Sequence, residues 1–322
     1  MDIDLLDRKI IYELGKNARI SYRELAKKIS SKKEVVAYRI ANLIKNKVIT
    51  KFVPVFSLTK LGIFSGKIYI NLKGMKNDEQ VFDWLIKNKE VAWVAKSVGN
   101  WDLLIGFYYR DILDFARIKN EVLSKLSKYV KDYEISFIED GLVFNREYLV
   151  GKDKIARKEF IFGGNSEKIQ IDEIDKKIIS LIRNDGRFEY LDVAKKLNLD
   201  ARTILTRIEN LKEKEILQGF TIFIDLNKIG YKLYKICISL NSLENSSKEK
   251  VIQIIKGNPN VIHLIKAVSS WDLEAEIEYT NIEEIYSYIN YLKNELPEII
   301  KNIDFVAINQ EVKLDFFPES IL

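Results

Sequence analysis

Displaced by 168 positions, the sequence lies over itself. Asp7 meets Asp175, and Lys9-Ile10-Ile11 meets Lys177-Ile178-Ile179. Arg19 meets Arg187, and Ala26-Lys27-Lys28 meets Ala194-Lys195-Lys196. Arg39-Ile40 meets Arg207-Ile208, Phe52 meets Phe220, and Gly62 meets Gly230. Further on the frame slips by two residues, and Trp101-Asp102-Leu103 meets Trp271-Asp272-Leu273. The chain is two copies of one module of about 140 residues. Any fold assigned to one copy is owed to the other.

Within a copy, apolar spacing separates two parts. Leu6, Ile10, Ile11 and Leu14 recur at helical spacing, Asn17-Ala18-Arg19 breaks the helix, and Tyr22, Leu25, Ala26 and Ile29 form a second. Val36, Ile40 and Leu43 give a third helix one inward stripe. Val48–Val55 has strand character, with Pro54 suggesting an edge. Three helices and a hairpin read as a winged helix-turn-helix. The remainder alternates as strand at Lys67–Leu72, helix at Glu79–Lys87, and strands at Val91–Val98 and Trp101–Tyr109. Helix at Asp111–Lys128 and strand at Tyr133–Ile138 follow. That βαββαβ order is ferredoxin-like. The expected class is α+β, two winged helix-turn-helix domains alternating with two ferredoxin-like domains. The expected boundaries are 1–60, 61–140, a connector over 141–168, 169–228 and 229–322. Phe144 and Phe160-Ile161-Phe162 give the connector apolar clusters that can add strands, and Gly163-Gly164-Asn165-Ser166 reads as a joint.

Leu6-Asp7-x-x-Ile10-Ile11, Asn17-Ala18-Arg19-Ile20-Ser21, Glu24-Leu25-Ala26-Lys27-Lys28 and Arg39-Ile40-x-x-Leu43 resemble the Lrp/AsnC family of transcription regulators. Val98-Gly99-Asn100-Trp101-Asp102 resembles the turn of that family's sensing domain. The resemblance covers nearly the whole chain, twice. It implies double-stranded DNA and an amino-acid-like effector as partners. It also implies face-to-face pairing of sensing domains, within the chain or with a second chain. Headpiece spacing would then be controlled by sensing-domain packing. One departure stands in both copies: Lys47 and Glu215 occupy the place of a family glycine before the wing strand.

A helix-turn-helix reads DNA with the N-terminal half of its third helix. Lys32, Lys33, Tyr38, Arg39, Asn42 and Lys45 are the candidate DNA-binding residues of the first copy, and Arg202, Thr203, Thr206 and Arg207 those of the second. Lysine and arginine neutralise phosphates, while tyrosine, asparagine and threonine hydrogen-bond to phosphates or base edges. Residues 1–60 carry fourteen Lys+Arg against six Asp+Glu, a net of +8, whereas residues 169–228 carry eleven of each. The first headpiece is therefore expected to bind DNA more strongly. Asp200 can cap the second copy's third helix, where the first copy has Lys32.

By the resemblance, effector binding falls on Gly99, Asn100, Asp102 and Asp272; the alternative is that Gly-Asn is a hairpin turn and the aspartate caps it. Glu274, Glu276 and Glu278 share one strand face, which suits sheet pairing only if lysines meet it. Lys67 and Lys235 can supply the charge, and Lys266 is expected across from Glu274.

One cysteine, Cys237, excludes a disulfide framework, and one histidine, His263, argues against a metal centre. No cofactor and no catalysis are expected. Two other classes stay open: an enzyme resembling siroheme decarboxylases, through Val261-Ile262-His263, and an interaction module without DNA binding. The acidic start MDIDLLDRK lacks a signal-peptide layout and no apolar run spans a bilayer, so no membrane partner and a cytoplasmic location are expected.

Overall fold

The computed structural model describes residues 3–74, 79–151, 159–164, 167–241 and 244–317. The first copy runs α1 (Leu5–Lys16), α2 (Tyr22–Lys28), α3 (Lys33–Lys45) and β1 (Ile49–Phe56). It continues β2 (Phe64–Leu72), α4 (Glu79–Lys87), β3 (Val91–Gly99), β4 (Leu103–Tyr109), α5 (Ile112–Leu126) and β5 (Val130–Phe144). The connector adds β6 (Glu159–Gly163). The second copy runs α6 (Glu173–Ile182), α7 (Tyr190–Leu197), α8 (Ala201–Glu213) and β7 (Leu217–Ile224). Then come β8 (Lys232–Leu240), α9 (Asn245–Lys256), β9 (Val261–Val268), β10 (Leu273–Tyr279), α10 (Ile282–Glu295) and β11 (Ile300–Leu314).

Like parts of the two copies pack together. One compact unit holds both headpieces (Met1–Ser57, Phe144–Phe160, Ile169–Tyr231), and a second holds both sensing domains (Leu58–Val143, Ile161–Lys168, Lys232–Leu322).

In the headpiece unit, Val36, Ile40 and Leu43 of α3 and Ile204, Ile208 and Leu211 of α8 are buried on matching stripes. The expected wing hairpin is not formed inside a copy. Each copy supplies one eight-residue strand, and β1 pairs antiparallel with β7. The physical reason is that the next strand is already committed: after a short 3-10 turn at Thr59–Leu61 and Gly62 at φ +74°, β2 begins at Phe64 and pairs with β4 and β5, so β1 takes its partner from the other copy. Pro54, which has no N–H to donate, sits opposite Phe220 in this two-stranded ribbon.

The turn from α3 into β1 explains how the missing glycine is tolerated. Lys47 has φ 56° and Glu215 φ 53°, both left-handed. Val48 N–H bonds to Leu43 O at 2.8 Å and Lys47 N–H to Ile44 O at 2.9 Å, a Schellman closure of α3. A β-carbon is penalised there, so Lys47→Gly and Glu215→Gly should each stabilise the headpiece unit by about 0.5–1 kcal/mol. Urea denaturation followed by circular dichroism checks this; a loss of stability would contradict it.

In the sensing unit each domain is a four-stranded antiparallel sheet with two helices on one face. Ile68, Ile70, Val94, Leu103, Ile105 and Phe107 meet Phe82, Leu85, Phe115 and Val122 in the first domain's core. β5 and β11 are 15 residues long, more than twice the strand expected at Tyr133–Ile138. The extra length has a use. β5 pairs with β2 over Val130–Phe137, then with β9 over Phe137–Val143. β11 pairs with β8 over Ile300–Ile308, then with β3 over Val306–Leu314. The strand order β2-β4-β3-β11-β8-β10-β9-β5 returns to β2, so eight strands close into a ring, with β6 added beside β5. Strands of the two domains thus share ladders, β5 with β9 and β11 with β3.

Gly163 and Gly164, expected as a joint, are held instead. Gly164 N–H bonds to Glu139 O at 2.6 Å, and a β-carbon on Gly163 would come 2.9 Å from that same carbonyl. Asn165 and Ser166 lie outside the described residues.

The inside of the ring is charged. Lys67 Nζ is 2.7 Å from Glu274 Oε2; Lys235 Nζ is 2.9 Å from Glu274 and 2.8 Å from Glu276. Ser136 Oγ donates to Glu274 at 2.8 Å and Trp271 Nε1 donates at 3.1 Å. His263 Nδ1 lies 2.6 Å from Glu276. Tyr69 packs against Trp271 and Trp101, with ring centroids at 4.8 and 6.0 Å. Burial opposes the charge on Glu274, yet Lys235 and Lys67 hold its carboxyl well below the usual carboxylate range. Burial likewise opposes Glu276, and Lys235 and His263 hold it low. Lys67 meets a single carboxylate, and burial pulls its ammonium down. Lys266 does not reach Glu274. Ala267 N–H bonds to Asp272 O, which sets Lys266 opposite Leu273 and Glu274 opposite Ile265; Lys266 pairs with Asp140 at 3.0 Å.

Candidate nucleic-acid interface

The third helices α3 and α8 present their unburied faces differently at their N-termini. Lys32 is the N-cap of α3 and makes no side-chain cap bond. Its ammonium and that of Lys33 are exposed beside the positive end of the helix. Tyr38 is 66% exposed, one turn further along, on the same open face. Asn42 is half-buried and Lys45 exposed in the last turn. Exposed Glu34 also lies in this first turn, so the leading end is net cationic by one charge, and it offers N–H donors that an anionic oxygen can meet.

On α8 the corresponding end is occupied. Asp200 Oδ1 accepts from Thr203 N–H at 2.8 Å, and Thr203 Oγ1 donates to Asp200 Oδ2 at 2.6 Å. The Thr203 hydroxyl and backbone bonds hold the Asp200 carboxyl below its usual value, so a negative charge stands there. Arg202 and Thr206 remain exposed.

Two arginines of the candidate set have work inside the headpieces. Arg39 Nη1 lies 2.8 Å from Asp4 and 3.1 Å from Asp7. Arg207 Nη1 pairs with Asp172, and with Asp175 at 3.1 Å. Each ties the third helix to the start of the first. Their place is the helix flank, where the guanidinium is half-buried.

A second pair of arginines at matching places in the repeat, Arg19 and Arg187, joins the two headpieces. Arg19 Nη1 donates to Gly186 O at 3.1 Å and Phe188 O at 3.0 Å, and its guanidinium lies 4.4 Å from the Phe188 ring centroid. Reciprocally, Arg187 donates to Ala18 O at 2.9 Å and to Tyr22 Oη at 3.0 Å, and lies 4.2 Å from the Phe52 ring. Ala18 N–H bonds to Phe220 O at 3.0 Å, and Gly186 N–H to Phe52 O at 2.7 Å. The two headpieces are thus clamped to each other by their own residues. These contacts lie wholly within the headpiece unit. Arg19→Ala and Arg187→Ala should each cost about 2 kcal/mol, from charged hydrogen bonds and ring stacking. Calorimetry should show the loss in the headpiece transition, with the sensing-unit transition unmoved.

The effector candidates lie at the strand corners of the sensing unit. Gly99 has φ +129° at the end of β3, and a β-carbon there would come 2.5 Å from Phe305 O. Close approach to β11 therefore requires glycine. Asn100 N–H points at the same Phe305 carbonyl, 3.5 Å away. Asp102 Oδ2 accepts from Leu72 N–H at 2.8 Å, and Asp272 Oδ2 from Leu240 N–H at 2.8 Å. In both copies the aspartate accepts from the backbone at the end of the domain's first strand.

The geometry above is that of two helix-turn-helix headpieces and two sensing domains in one chain. The AsnC-type helix-turn-helix domain family matches the chain twice, over residues 3–44 and 171–212. An uncharacterized HTH-type transcriptional regulator of Pyrococcus furiosus is 30% identical over 148 residues, which are 46% of this chain and 97% of that protein. The chain belongs to the Lrp/AsnC family of transcription regulators. The regulatory protein AsnC of Haemophilus influenzae is similar too, 24% identical over 150 residues, 46% of this chain and 98% of its own length. Each of these relatives corresponds to one module, so this Lrp/AsnC protein is a double-length member. Among solved structures, the siroheme decarboxylase NirDL aligns over 99% of this chain and 96% of its own, with a TM-score of 0.65 and 17% identity. At that identity the likeness is one of fold. It extends along nearly the whole of this Lrp/AsnC chain.

Proposed function

We propose that this regulator binds double-stranded DNA, sequence-selectively and through two unequal headpieces, with α3 as the dominant reading helix. The observation that carries this is the contrast at the two helix N-termini. α3 opens on exposed Lys32 and Lys33 with no side-chain cap, whereas α8 opens on the carboxylate of Asp200. Phosphates are drawn to the first and repelled from the second. Lys32, Lys33, Tyr38, Asn42 and Lys45 then contact DNA from the first copy, and Arg202 and Thr206 from the second. Thr203 serves the cap, and Arg39 and Arg207 hold their helices in place. An amino-acid-like effector acts, if at the Gly99–Asp102 corner, through backbone groups and Asn100 rather than through a free Asp102 or Asp272 carboxylate. The protein works in the cytoplasm, where its DNA is; no helix among the described residues is long and apolar enough to cross a membrane.

Catalysis is not part of this reading. The lone histidine, His263, is engaged by Glu276 inside the charged ring. The test is a footprinting titration on duplex DNA from the protein's own promoter region. One half-site should be protected at lower protein concentration than the other, and Asp200→Asn should narrow the gap. Equal protection of both half-sites would refute the inequality. No binding at any salt, with the fold intact, would refute DNA recognition.

A further inference from the structure

Among the described residues, the buried charged side chains of the sensing unit are Lys67, Lys235, Glu274, Glu276 and Glu278. They are distributed unevenly. The first sensing domain contributes only Lys67; where the second has Glu274, Glu276 and Glu278 on β10, the first has Leu104, Gly106 and Tyr108 on β4. The second domain contributes three glutamates and one lysine. Lys67 and Lys235 occupy matching places on β2 and β8 and converge on one carboxylate oxygen, Glu274 Oε2, at 2.7 and 2.9 Å. Glu274 is thereby shared between the domains, with Ser136 of the first domain donating to its other oxygen.

We propose that this network is a pairing code that makes the first sensing domain complementary to the second and to neither a copy of itself nor a copy of the second. Two first domains face to face would bury two lysines with no carboxylate between them. Two second domains would bury three glutamates and one lysine from each partner. A buried charge without a partner is strongly unfavourable, so both like-with-like rings are disfavoured. The unlike ring sets two lysines against Glu274 and Glu276 and buries three glutamates in all, half the number that two second domains would bring. It is the ring the chain closes on itself, through β5 with β9 and β11 with β3. Steric fit alone would not discriminate, because the repeat gives both domains the same strand order. Discrimination against the like partner requires a repulsive element, and the lopsided glutamates supply it. The consequence is a regulator insulated from exchange of sensing domains between its own copies.

The experiment uses cross-strand cysteines in the full chain, with buried Cys237 left in place. Val98 lies opposite Ala307 and Val268 opposite Phe137. Val98→Cys with Ala307→Cys reports the unlike ring, as a disulfide within one chain. Val268→Cys with Ala307→Cys reports a ring of two second domains, because the repeat would set these positions opposite each other across two chains. Under mild oxidation the first pair should close in most molecules, and the second should give essentially no chain-to-chain cross-link. Adding Lys67→Glu to the first reporter should lower the closed fraction at least tenfold, and adding Glu274→Lys to that variant should bring it back within twofold. Chain-to-chain linkage by the second reporter overturns the proposal. So does an unchanged closed fraction in Lys67→Glu, or no recovery in the swapped pair.

Discussion

Changing Lys32, Lys33 and Lys45 to alanine together should weaken binding to the protein's DNA roughly 100-fold at about 0.1 M salt. The same variant should lower the slope of log affinity against log salt by about 2–3. Each ammonium that sits on a phosphate releases close to one condensed counterion, so removing three removes three such releases. Lys32 and Lys33 stand at the positive end of α3, where the free N–H groups add to the field they create. The lysines can be removed without unfolding the headpiece, since all three are exposed and the Lys32 side chain makes no cap bond. Arg202→Ala in the second headpiece should cost less than about tenfold, because the Asp200 carboxylate already opposes phosphate approach there. Tyr38→Ala should act differently from the lysines. If its 66%-exposed ring and hydroxyl meet base edges, the loss is about 1–3 kcal/mol on the cognate site, with the salt slope unchanged. Fluorescence anisotropy on cognate and scrambled duplexes at four salt concentrations separates the two behaviours. An unchanged slope in the triple variant would place the DNA elsewhere on the molecule.

The residues that made the fold legible are those whose signals are local. The stripes Val36-Ile40-Leu43 and Ile204-Ile208-Leu211 announce helices by spacing alone, and both are fully buried. The alternation of Glu274, Glu276 and Glu278 announces a strand and also demands a cationic partner, which Lys67 and Lys235 supply. What local pattern does not specify is which strand pairs with which. β1 and β7 are separated by the whole sensing domain, so an isolated wing hairpin was the natural reading of Val48–Val55. The crossing halves of β5 and β11 carry Glu139-Asp140-Gly141 and Asn309-Gln310-Glu311, too polar to read as sheet core. They become strands only because a neighbour 120 or more residues away supplies the ladder. The register at the Ser269-Ser270 turn also differs by one residue from that expected, because Asp272 rather than Leu273 stands against Ala267. In the candidate interface, the spacing of Arg39 and Arg207 placed them on the helix flank. It could not show that aspartates from the first helix of each headpiece wait there. The cross-headpiece clamp of Arg19 and Arg187 was written in the repeat as two identical residues, but its partners Gly186 and Ala18 are backbone carbonyls, which sequence does not display.

Lys235→Met should be the most damaging single change in the sensing unit. It removes the ammonium that lies 2.9 Å from Glu274 and 2.8 Å from Glu276, and leaves two buried carboxylates to Lys67 and His263. Breaking a buried ion pair from one side costs about 3–5 kcal/mol. For a unit of this size that is a fall in melting temperature of roughly 10 °C. Replacing Lys67, Lys235, Glu274 and Glu276 together by Met, Met, Leu and Leu should be near neutral at pH 7, because desolvation and attraction disappear together. The two variants also differ in acid. In the unfolded chain Glu274 and Glu276 titrate near the ordinary glutamate value of 4.5, while in the fold both sit well below it, held by Lys235 against the effect of burial. Below that value the unfolded chain takes up protons that the folded carboxyls refuse. The stability they confer is therefore fully present above pH 4.5 and is lost as the pH falls toward their folded values. Melting temperatures of the wild type should be flat from pH 8 to about 5 and then drop. The quadruple variant should drop less steeply over the same acid range. Equal acid slopes in the two proteins would mean that Glu274 and Glu276 are not held as carboxylates by the lysines, and that the ring closes for reasons of packing alone.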